Sequence, residues 1–110
     1  MIVNIPFEAE DVVWQDDAAN KKITAVLKFS SSDAAKLVAA SEGIRPPQDV
    51  TLPSESWFPA ELIAQSQTSG DDLLRGRSYA ANSFYQAPYN DGQITRAAGT
   101  DYFVLELTQK

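Results

Sequence analysis

Carboxylates, arginines and aromatics carry the chemical potential of this chain, because it contains no histidine and no cysteine. Without histidine it lacks the commonest general base near neutral pH and the usual zinc ligand. Without cysteine it lacks thiolate nucleophiles, thiolate metal sites and disulfides. No Gly-x-Ser-x-Gly elbow, phosphate-cradling glycine loop or dinucleotide fingerprint occurs, and the five glycines are dispersed. No cofactor is therefore expected.

Two acidic pairs, Asp16-Asp17 and Asp71-Asp72, have residue types suited to calcium, or to acid–base work after a pKa shift. Adjacent side chains usually point apart and both pairs fall in polar stretches, so solvated loop charge is the simpler reading. Asn90-Asp91-Gly92 lacks the spacing and terminal glutamate of an EF-hand loop. Its Asp-Gly suits a type I′ hairpin turn instead. No metal site is expected.

Arg75-Gly76-Arg77 offers two guanidinium groups that could clamp a carboxylate or phosphate. The plainer reading is exposed charge at the entrance to a strand. Aromatics gather in or near the second half: Trp57, Phe58, Tyr79, Phe84, Tyr85, Tyr89 and Tyr102. Tyr79 and Tyr85 alternate onto one face of an expected strand and Phe84 onto the other. On an uncovered face they would be rigid, amphipathic anchors for a protein, peptide or sugar ligand. In a domain this small the same rings also serve core closure. The candidate binding residues are thus Tyr79, Tyr85, Tyr89, Arg75 and Arg77.

Several elements must position these residues. Lys22 to Phe29 alternates Ile23, Ala25, Leu27 and Phe29 against Thr24, Val26 and Lys28, the period of a strand with one buried face. Asp11 to Gln15 is a shorter apolar run that can pair with it as a hairpin. Ser30 and Asp33 have capping-box spacing, and Ala34, Ala35, Leu37, Val38, Ala39 and Ala40 extend a helix from about Ser32 to Glu42, with Gly43 following as its stop. Ile44 to Pro53 reads as a proline-stiffened connector. A short second helix begins at Trp57-Phe58-Pro59 and turns Leu62 and Ile63 inward. Gln65 to Asp72 reads as a loop. A three-stranded meander follows: Arg77 to Tyr85, a turn at Asn90 to Gln93, a return from Gln93 to Ala98, a turn at Gly99-Thr100-Asp101, and Tyr102 to Thr108. In the last strand Phe103, Leu105 and Leu107 form the better core face.

The expected fold is α+β: a single small domain over residues 1–110, with an antiparallel sheet, chain order β-β-α-α-β-β-β, and helices on one face. A length of 110 residues and an apolar fraction of 44% suit one globular core. The net charge of −6 predicts repulsion from nucleic-acid phosphates, so no nucleic-acid partner is expected. No apolar run approaches the ~20 residues of a membrane span. Plentiful serine, glutamine and alanine beside sparse lysine point toward an exported or cell-envelope setting, with any signal or anchor lying outside this sequence. The functional expectation is a non-catalytic binding or accessory domain with a protein or peptide partner, docked on an exposed sheet face bearing aromatics. The alternative is a small enzyme, such as a hydrolase, built on carboxylates and arginines.

Overall fold

The computed structural model describes residues 9–17, 19, 21–44, 46–68, 70, 73–84 and 89–109. Their order is β1 (Asp11–Asp17), β2 (Lys22–Lys28), α1 (Ser31–Glu42), β3 (Gln48–Pro53), α2 (Ala60–Thr68), β4 (Leu73–Ala80), a 3-10 turn (Asn82–Phe84), β5 (Asp91–Ala97) and β6 (Tyr102–Thr108). All six strands join one sheet in the order β1-β2-β6-β5-β4-β3, and every neighbouring pair is antiparallel. The expected antiparallel α+β architecture is present, with one strand more than expected and with β3 lying between the two helices.

That extra strand is the stretch read as a connector. Pro46 and Pro47 precede it and Pro53 closes it, while Asp49 to Leu52 pair with Arg75, Gly76, Arg77 and Leu74 of β4. Proline is tolerated there because β3 is an outer strand, where an N–H turned away from the sheet is not needed. The strand β4 also begins earlier than expected, at Leu73, and stops at Ala80; Ala81 and Phe84 then tuck into the core through the 3-10 turn. Asp91-Gly92 is not a turn but the start of β5, with Gly92 paired to Leu107. Gly92 has φ of +150°, and a Cβ there would meet the Glu106 carbonyl oxygen at 2.0 Å. Glycine is demanded by close backbone approach inside the sheet, not by a hairpin turn.

The helix α1 starts as its cap foretells. The backbone N–H of Asp33 donates to the Ser30 hydroxyl at 3.1 Å. Gly43 ends it with φ of −68°, so the stop is not left-handed. The two helices do not share a face, which corrects the expectation of helices on one side. The residues Ala34, Leu37 and Val38 of α1 pack with Ile23, Leu27, Phe103, Leu105, Ile94 and Tyr79. From α2 and its approach, Phe58, Leu62 and Ile63 pack instead with Val26, Val104, Tyr102, Leu74 and Ala97. These two sets alternate along the same strands, so the sheet is the middle layer of three. The central strand β6 is consequently buried on both sides, with Leu105 and Val104 at 0% and 2% exposure.

Candidate functional site

Coverage of the α1 face stops short of the β3 edge. The side chains standing there follow from alternation: Arg75, Arg77 and Tyr79 on β4, Arg96 on β5, Asp49 and Thr51 on β3. They line an open groove of about 740 Å³. Three of the chain's four arginines therefore meet on one face of a protein with net charge −6.

Arg77 lies directly across from Arg96 in the β4–β5 register. Like charges opposite one another on a sheet are unfavourable unless neighbours offset them. Each has an acidic neighbour. The Arg77 Nε donates to Asp49 at 3.2 Å, between side chains that are 60% and 86% exposed. Arg96 is held more firmly: its guanidinium donates to Asp101 at 2.6 Å and to the Thr100 carbonyl at 2.8 Å, and it lies 5.7 Å from the centre of the Phe103 ring. Asp101 in turn accepts from the Ser31 hydroxyl at the start of α1, 3.0 Å away. The β5–β6 turn thus fixes one cation of the groove, while Arg77 sits in a solvent-screened pair that exchanges partners cheaply.

Gly76 stands between the two β4 arginines because the neighbouring backbone comes too close for a side chain. A Cβ there would lie 2.1 Å from the Arg96 carbonyl oxygen. Its absence lets β4 and β5 approach with Arg75, Arg77 and Arg96 on the same side.

Of the sequence candidates, Arg75, Arg77 and Tyr79 are brought together. Tyr79 is only 5% exposed, so it forms part of the floor beside α1 and is not a projecting anchor. Tyr89 is 3% exposed and lies away from the groove, its hydroxyl 3.4 Å from Asp16 on β1. Burial and the nearby Asp16 charge push the Tyr89 hydroxyl pKa up. Tyr85 lies outside the described residues. Arg96 was not among the candidates. Its signal was the β4–β5 register, which the misplaced turn at Asn90 to Gln93 concealed.

A smaller recess of about 300 Å³ opens on the opposite face, where Trp57 borders Lys22, Glu55 and Glu106. Both Glu106 oxygens are engaged there, one by the Lys22 ammonium at 2.9 Å and the other by the Gln93 amide at 3.3 Å. Among the described residues, no three acidic side chains gather as a metal cage would require, and no helix is long and apolar enough to cross a membrane. Comparison with known proteins finds no matching family model, no matching curated protein and no matching solved structure.

Proposed function

We propose that this chain is a non-catalytic binding domain that takes carboxylate groups of an acidic, extended protein segment in the groove over β3, β4 and β5. The observation that carries this reading is the gathering of Arg75, Arg77 and Arg96 on one open sheet face of an acidic protein. Guanidinium groups present planar donor forks that match carboxylates two bonds at a time. The pre-ordered Arg96 lowers the entropy lost on binding, and the exposed Asp49–Arg77 pair gives up its partner at small cost. The surface acts through its arginines, with Tyr79 as a floor; this shifts the emphasis from aromatic anchoring to charge recognition.

The enzyme alternative finds weaker support. The carboxylates of the smaller recess and the arginines of the groove face opposite sides of the sheet. Those beside the arginines, Asp49 and Asp101, are already ion-paired.

Calorimetric titration with a hexaglutamate peptide tests the reading. Arg75→Ser/Arg77→Ser should weaken binding by about tenfold or more, since loss of a charge-assisted pair is worth ~1.5–3 kcal/mol. Lys21→Ser/Lys36→Ser removes the same charge elsewhere and should change affinity far less. Equal losses in both variants would reduce the groove to a general electrostatic effect.

A further inference from the structure

Resting on that reading of the groove, we infer that its occupant is the β1 edge of a second copy of this chain, joined head to tail so that one sheet continues into the next. Both outer strands, β1 and β3, have an edge that no described strand pairs with. Because all five neighbouring pairs are antiparallel and the strands number six, β1 and β3 run in opposite directions. A second copy set down in the same orientation therefore brings its β1 antiparallel to β3 of the first, with each face of the sheet carried through.

Charge selects this pairing over the symmetric ones. The segment from Glu10 to Asp17 holds four acids, Glu10, Asp11, Asp16 and Asp17, and no base; Lys28 and Lys22 of β2 stand opposite Asp11 and Asp17, while Asp16 stands opposite Ile23. The β3 edge is backed by Arg75 and Arg77 one strand away. Two β1 edges would set acids against acids, which is disfavoured, and two β3 edges would bring the arginine-backed edges together without the β1 acids. The β1 edge carries charge, one of the devices that keep edges apart, but not the others. It is seven residues long and has no proline or lysine, and Trp14 stands 47% exposed on it.

The faces agree as well. Trp14 pairs with Ala25, Ala25 with Leu105, Leu105 with Ile94, and Ile94 with Tyr79, so Trp14 stands on the groove's face of the sheet. Asp16, two residues on, shares that face. In the continued sheet Trp14 and Asp16 of the second copy arrive on the side of Arg75 and Arg77. There a carboxylate can replace Asp49 as partner to Arg77 and an indole can cover a guanidinium. Such a contact uses different surfaces on the two molecules and does not close on itself, so it builds rows and not only dimers. One strand pair is a small interface, so association belongs at protein concentrations of about 0.1–1 mM.

Sedimentation velocity of the full chain over that range tests the inference. Wild-type protein should show an average mass that rises past the dimer with concentration. Trp14→Lys, with its β1 edge blocked, and Arg75→Ser/Arg77→Ser, with its groove blocked, should each sediment as monomers. Mixed, they retain one good β1 edge and one good groove between them and should form a 1:1 dimer that does not grow. Circular dichroism and thermal melts establish that each variant is folded, and Trp14→Thr serves in place of Trp14→Lys should the lysine unfold the strand. Wild-type protein that stays monomeric, or a closed dimer that persists in either variant, overturns the inference. Hexaglutamate binding separates the two levels: a monomeric protein that still binds it keeps the groove reading and loses only the second copy, whereas one that does neither loses both.

Discussion

The Tyr102 hydroxyl lies against the Glu61 carboxylate, a contact between the central strand and the first turn of α2. The hydrogen bond to Glu61, followed by burial and the nearby charges of Glu61 and Asp11, pushes its pKa up to about 12 from 10.0. The folded state therefore holds this proton more tightly than the unfolded chain. Its contribution to stability is fully present below pH ~10 and is lost as pH rises through about 12. Absorbance titration at alkaline pH should show late tyrosinate ionisation that Tyr102→Phe diminishes by one group; a Tyr102 titrating near its ordinary value would place the hydroxyl away from Glu61. Gly92 makes a second prediction at this scale. With φ of +150° and the Glu106 carbonyl in the way, Gly92→Ala should destabilise by about 1–3 kcal/mol. A denaturant melt unchanged by that substitution would return Asp91-Gly92 to a permissive turn.

At the scale of elements, coverage of the sheet on both sides makes a quantitative claim. Leu105→Ala should cost ~2–5 kcal/mol beneath α1. Val104→Ala, on the other side of the same strand, should also cost substantially, with ~1.5–3 kcal/mol set by the burial of a valine side chain. An exposed second face would confine the Val104 change to within ~0.5 kcal/mol. The sequence carried most of these elements: the Ser30 cap, the alternation of Lys22 to Phe29 and that of Tyr102 to Thr108 each mark a local choice of backbone. It did not carry which side each helix lies on. A short amphipathic segment such as Leu62-Ile63 reads identically whether it covers Leu105 or Val104, since both faces of a central strand can be apolar. The strand β3 was hidden for a related reason: its prolines argue against a central strand, and edge status is a property of the whole sheet. The arginine pair at Arg75 and Arg77 was legible from spacing alone. Arg96 was not, because its place beside them depends on a register set by the ten residues between β4 and β5.

The sheet carries acids along β1 at one edge, two of them opposite Lys22 and Lys28 of β2, and arginines one strand behind β3 at the other, where Asp49 stands on the edge strand itself, within a net charge of −6. Stability should not depend on metal, since no described acidic cluster could form a cage. Thermal melts with and without chelator are expected to coincide, and a drop reversed by calcium would reveal a role for the acidic pairs. The claim on which the functional account turns is that the arginine face of β4 and β5 receives carboxylates. Arginine Nε–H resonances followed by NMR during titration with hexaglutamate test it most directly. The account predicts that Arg75, Arg77 and Arg96 shift together along one saturable curve. Resonances that drift without saturating, or a groove whose three arginines do not respond, would contradict it.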